Sequence, residues 1–162
     1  ARLRLRAEHR LAVDRGRILP TARGPILAQL RGEGGDPGVV RAPAEPYRPG
    51  WPYWRRGDRA IVELPIQVTR GPRLPVIGTV LGRAGARGAR ALVRACGDTP
   101  LLNLELHAID FLDRADVPVE LTGLPELRVP LAERLAALRA AVGEASHRRA
   151  VTLAIAASVL AR

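Results

Sequence analysis

The stretch NLELHAIDFLD, Asn103–Asp113, decides how the second half of this chain is read. As far as His107, apolar and polar residues alternate strictly. Leu102, Leu104 and Leu106 fall on one side of an extended chain, and Asn103, Glu105 and His107 on the other. The alternation then stops and aspartates begin, at Asp110 and Asp113. A strand covered on both faces by helices would bury the polar row at about 1–3 kcal/mol for each unpaired group. The pattern therefore predicts a strand with one polar side. It suits a barrel strand lining a lumen, a sheet bordering a cleft, or an edge strand open to water. In an α/β barrel the chemistry gathers at the carboxyl ends of the strands, which would put His107 nearest the mouth.

Outward from this stretch, IVELPIQV (Ile61–Val68) also reads as a strand. Val62, Leu64, Ile66 and Val68 share one side, and Glu63 and Gln67 the other. Pro65 marks it as an edge strand or a bulge. ARGARALVRAC (Ala86–Cys96) predicts a helix stopped by Gly97. VPLAERLAALRAAVG predicts another, with Pro130 in the first turn, Gly143 as the stop, and Leu131, Leu135, Leu138 and Val142 as its buried stripe. RRAVTL reads as a short strand and AIAASVLAR as a terminal helix. The order strand, helix, strand, helix, strand, helix implies parallel strands with crossover helices. Residues 41–162 are thus expected to form the α/β part. Ahead of it, residues 1–40 form an N-terminal segment ending in a glycine-rich loop, RGEGGDPG. The stretch RAPAEPYRPGWPYWRRGD, Arg41–Asp58, is too rich in proline for regular structure.

The chain has 162 residues, 47% of them hydrophobic, enough for one domain with a core. A net charge of +10 raises nucleic acid or an anionic surface as partners. All 26 basic residues are arginine, however, and they are scattered through a sequence dominated by Ala, Gly, Pro and Leu. That skew reads as coding bias, so nucleic acid is the lesser expectation. Cys96 is the only cysteine, which excludes an intrachain disulfide, and its surroundings suggest a packed helix residue. ARLRLRAEHRLAV lacks a signal-peptide core, so a cytoplasmic location is the default expectation. Val151–Ala161, the longest apolar run, is too short to span a bilayer.

Four of the five aromatic residues, Tyr47, Trp51, Tyr53 and Trp54, lie within eight positions. Such rings pin an irregular loop to a core, stack on sugar faces, or stack on bases while Arg48, Arg55 and Arg56 hold phosphate. Asp110, Asp113 and Asp116 recur every third residue without the glycine and terminal Glu of a calcium loop, which points to turn chemistry. His9, His107 and His147 have no metal-ligand spacing. GRAGARG, Gly82–Gly88, has no lysine and matches no phosphate-binding loop.

Taken in order, EPYRPGWPYWRRGD, VELPIQVTRGPRLPVIGT, NLELHAIDFLD, LRVPLAERLAALRAAV and VTL resemble the C-terminal half of polysaccharide deacetylases, the NodB-homology carbohydrate esterases. The resemblance implies a partial (β/α) barrel and the removal of acyl groups from N-acylated sugars. It makes His107 the general acid, with Asp110 orienting it. Expelling an amine needs a proton donor that titrates near neutrality, and imidazole is one. Glu63 and Glu105, on the lumen side, and Trp51 and Trp54, at a groove rim, become the substrate-binding candidates. The family's Asp-Asp pair and His-x-x-x-His pair are absent, and with them the catalytic base and the ligands of a divalent metal such as zinc. The chain thus reads as the C-terminal region of such an enzyme. It would have no cofactor of its own, would be inactive alone, and would depend on an N-terminal half for both. The alternative is a non-catalytic basic module that binds nucleic acid or a protein.

Overall fold

Two helices build the core. The computed structural model describes residues 37–160, and Gly38–Arg162 make one compact unit. Nearly all of the N-terminal segment expected over residues 1–40, with His9, lies outside the described residues. Helix α1 spans Gly78–Ala95 and α2 spans Leu131–Ala145; a third, α3, spans Leu153–Leu160. The expected helix at Ala86–Cys96 is the second part of α1. The helix begins eight residues earlier and is broken at Gly85, whose φ of 66° and ψ of 175° are open to glycine but strained for other residues. Gly97 (φ 65°) ends it as expected, with its N–H donating to the Arg94 carbonyl at 2.9 Å.

The face that α2 buries differs from the expected one. Pro130 caps it, but it runs past Gly143 to Ala145. Arg134, Ala137, Leu138, Ala140 and Ala141 are buried. Leu131 and Leu135 are only half-buried, and Val142 is 55% exposed. Small residues explain the rotation. Ala137 and Ala141 belong to the same cluster as Leu81, Ala89 and Val93 of α1, and Gly82 meets the stem of Arg134. The alanine row lets the two backbones approach, and the leucines flank the contact. Val76, Cys96 and Leu138 complete the cluster, with Leu92, Leu102, Leu104 and Ala145 packed against it.

The partial (β/α) barrel is not formed. Among the described residues there is no strand, only four isolated bridges: Tyr47 with Glu63, Pro49 with Arg56, Val68 with Pro75, and Ile77 with Glu105. The last is parallel and brackets α1, with Gly78 N–H donating to the Glu105 carbonyl at 2.9 Å. Ile77 lies in a stretch outside the expected strands, so none of the expected strand–helix–strand steps is formed among the described residues. Proline explains much of the loss, since Pro65, Pro72, Pro75 and Pro100 lack the N–H a ladder needs. Side chains take up some of the freed bonding: Asn103 Nδ2 donates to the Leu64 and Pro65 carbonyls at 3.0 and 3.3 Å.

The faces of IVELPIQV are also partly reversed. Gln67 is buried while Ile66 is exposed. Gln67 Nε2 donates to the Val68 carbonyl at 2.9 Å, and the Thr99 hydroxyl donates to Gln67 Oε1 at 3.4 Å. RRAVTL forms no strand; its residues ahead of α3 are irregular and mostly exposed. The terminal helix is present as α3, with Ala156 its buried residue. Between His107 and α2 the chain makes four short 3-10 turns, at Ala108–Phe111, Arg114–Asp116, Val119–Leu121 and Pro125–Arg128.

Candidate functional site

His107 stands where the 101–107 segment ends and the first 3-10 turn begins. Its side chain is 56% exposed, and Nε2 lies 3.4 Å from Glu105 Oε1. This follows from the alternation: residues two apart on an extended chain share a side. Leu102 and Leu104, on the other side, pack against the core, so that part of the pattern is realised without a strand. His107 does not lie among the leucines of α2.

Asp110 does something other than orient the imidazole. Its Oδ2 accepts the main-chain N–H of His107 at 2.8 Å, and the Asp110 N–H donates back to the His107 carbonyl at 3.0 Å. The carboxyl is 2% exposed and sits against Gly78, the first residue of α1; a Cβ there would collide with it. Glycine at 78 thus makes room for the aspartate. Asp110 fixes the backbone from which His107 projects, and Glu105 is the group beside the ring.

The turn carrying Asp110 is bolted to α2 by Arg134, which is 3% exposed. Its Nε donates to the Val129 carbonyl at 3.0 Å and Nη1 to Ile109 at 2.8 Å; Nη2 donates to Leu112. Sequence reasoning passed over Arg134 because it expected an apolar stripe on this helix. The signal available was an arginine four residues after Pro130, at the foot of the same helix. A second link missed in the sequence is the Thr79 hydroxyl, which donates to Glu126 Oε1 at 3.1 Å and ties the start of α1 to the last 3-10 turn. Asp113 and Asp116 do turn chemistry: Asp116 Oδ2 accepts the Asp113 N–H at 2.8 Å, and Asp113 Oδ1 accepts the Arg114 N–H at 2.7 Å.

The other candidates lie in the Pro-rich segment. Tyr47 is buried, pairs through its backbone with Glu63 in both directions (3.1 and 2.8 Å), and donates its hydroxyl to the Tyr53 carbonyl at 3.2 Å. Burial, with Glu63 nearby, pushes the Tyr47 phenol up from its ordinary value. The Trp54 ring lies against Gly38, whose missing Cβ makes the space, and Arg55 covers it 4.9 Å from the centroid. Trp51 is 84% exposed, with Arg59 5.9 Å from its ring centre. Glu63 is exposed beside Tyr47. The structure thus brings together Glu105, His107 and Asp110, and separately groups Tyr47, Glu63 and the tryptophans.

No three His, Cys, Asp or Glu side chains among the described residues are grouped to hold a metal ion. Among the same residues no helix is long and apolar enough to cross a membrane. Cys96 is buried, with its thiol pushed up by that burial. No family model, curated protein or solved structure matches this chain.

Proposed function

We propose that this chain supplies the proton-donating part of a hydrolase that removes acyl groups from N-acylated sugars, and that it needs a second segment to supply the base and metal. The observation that carries the reading is the exposed His107 imidazole at the end of the 101–107 segment. Glu105 lies beside the ring, and the buried Asp110 holds the backbone. In such a reaction a water oxygen adds to the acyl carbon, and the C–N bond breaks as the sugar nitrogen takes a proton. An imidazolium provides that proton, and a neighbouring carboxylate balances the ring's charge before it is given up. Glu105 is the carboxylate in position to do so. Asp110 acts as a positioning residue.

The ordered resemblance of five segments to polysaccharide deacetylases supports the substrate class. The test has two arms. The purified chain, with N-acetylated oligosaccharides and added zinc, cobalt or nickel, should release no acetate. Joined to a polypeptide bearing the Asp-Asp and His-x-x-x-His motifs, it should become active. His107→Ala should then cut turnover about 10²–10⁴-fold, the range for a lost general acid. Metal-dependent acetate release by the chain alone would refute the divided site, and an unaffected His107→Ala enzyme would refute the acid role.

The alternative, a basic binding module for nucleic acid or a protein, draws its support from the exposed Arg55, Arg56 and Arg59 beside the tryptophans. It predicts an affinity for nucleic acid that falls steeply with salt.

A further inference from the structure

Helix α3 carries aliphatic side chains and buries almost none of them. Its sequence, LAIAASVL, has no charged residue, and such a helix is normally enclosed by protein or lipid. Here Ala156 is its buried residue, while Leu153, Ile155 and Val159 are exposed. Val142, near the end of α2, and Val151, just ahead of α3, are exposed as well. A groove of about 820 Å³ lies between α3, the end of α2 and the 100–104 segment.

The chemistry of this groove is narrow. Leu102 and Leu104, which pack against the core, line one part of it, and Val142, Ile155 and Val159 line another. Among the described residues, no aromatic ring, carboxylate or side-chain amide lines it. Its cations are two neighbours, Arg148 and Arg149. Arg148 is already tied down: Nη1 donates to the Thr99 carbonyl at 2.7 Å and Nη2 to the Gly97 carbonyl at 2.8 Å. Arg149 is exposed and makes no hydrogen bond or ion pair among the described residues. Aliphatic walls with one uncompensated guanidinium are complementary to a molecule that is aliphatic along its length and anionic at one end. Neither His107 nor any residue of the 47–59 segment lines the groove, so it is separate from the site described above.

We infer that this groove binds a single-chain aliphatic anion of the fatty-acid type, with its hydrocarbon between α3 and the 100–104 segment and its acid group on Arg149. The volume falls within the range of pockets that hold small molecules, roughly 300–1,000 Å³. A sugar would find few partners there, because Ser146 and the two arginines are the only hydrogen-bonding side chains of the lining among the described residues. An extended peptide would bring main-chain N–H and C=O groups that each need a partner. A second copy would set another chain of net charge +10 against the same arginines. A polymethylene chain carries no polar group along its length, and its carboxylate supplies the missing charge.

The test titrates the whole chain by calorimetry with octanoate, decanoate and dodecanoate, each below its micelle-forming concentration, and with dodecyltrimethylammonium. Dodecanoate should saturate one site, and each added methylene should tighten binding about 4-fold, the value for a fully buried CH₂. Arg149→Gln should weaken dodecanoate about 3–10-fold. Val159→Glu should weaken it by roughly 10-fold or more, from the buried charge. Val119→Glu adds the same charge at an exposed site outside the groove and should leave binding within about 2-fold. Circular dichroism should be unchanged in both valine variants; should Val159→Glu fail to fold, the chain-length series on the parent decides. An affinity that does not grow with chain length and vanishes at high salt would be the work of scattered arginines and would overturn the inference. So would dodecyltrimethylammonium binding as tightly as dodecanoate, or no saturable binding at all. A parent chain that self-associates through this face, as shown by Val159→Glu remaining monomeric, and takes up no dodecanoate would give the groove to a second copy instead.

Discussion

Arg134→Met tests whether one buried arginine holds the turn beneath His107. The methionine keeps an unbranched stem against Gly82 and removes three hydrogen bonds, to the carbonyls of Ile109, Leu112 and Val129. A carbonyl left buried without a partner costs about 1–3 kcal/mol. All three residues are only half-buried, so water can reach part of what is lost, and the lower end of that range applies. A second effect has the opposite sign. Arg134 makes no ion pair within 4.0 Å among the described residues, and removing a desolvated charge returns some stability. The net expectation is a loss of about 1–3 kcal/mol, a sizeable share of the 5–15 kcal/mol typical of a folded domain. With a urea slope of about 2 kcal/mol per molar, the unfolding midpoint should fall by about 0.5–1.5 M. Arg134→Lys should lose most of the same amount, since one ammonium cannot reach three diverging acceptors as the planar guanidinium does. Hydrogen exchange at Leu112, whose N–H closes the 3-10 turn on Ile109, should accelerate in both variants. A midpoint within about 0.3 M of the parent in Arg134→Met, or a gain, would show that desolvation outweighs the clamp.

Two further outcomes follow from burial. Leu81→Ala, at a fully buried position in the α1–α2 cluster, should cost about 2–5 kcal/mol, whereas Val142→Ala, in the stripe of α2 expected to be buried but 55% exposed, should stay within about 0.5 kcal/mol in urea melts; equal losses would mean that α2 is rotated from the position described. In a Tyr53→Phe background, absorbance at 295 nm should show the Tyr47 phenol ionising above its ordinary value near pH 10. Because the folded value is the higher one, the phenol's stabilising contribution is whole below about pH 10 and is lost as pH rises through the raised value; a titration at or below the ordinary value would place Tyr47 in water.

The helices were legible because their signals are local. Gly97 just after an arginine- and alanine-rich run, and Pro130 before a leucine repeat, each act within one turn of chain. The buried face of α2 was not legible from hydrophobicity. Alanine beats leucine there because close helix approach rewards small residues, and Arg134 enters because three turn carbonyls need a donor. The barrel failed for a different reason. Alternation reports which side of an extended chain is polar, but says nothing about whether neighbouring backbones can supply a ladder. Prolines at 65, 72, 75 and 100 withhold those donors, so the segments meet at single bridges.

The polar row of NLELH shows how much chemistry survives the loss of the barrel. Its three residues meet three fates. Asn103 spends its amide on the carbonyls of Leu64 and Pro65, joining two extended segments where main-chain bonds are few. Glu105 offers its main-chain carbonyl to the first N–H of α1 and its carboxylate to the neighbouring imidazole. His107 alone keeps its side chain largely in water, on a backbone held by a buried aspartate whose turn is in turn held by a buried arginine. Structural demand on the side chains therefore falls away along the row toward His107. That gradient, rather than a lumen, is what leaves His107 available, and it does not depend on a closed sheet.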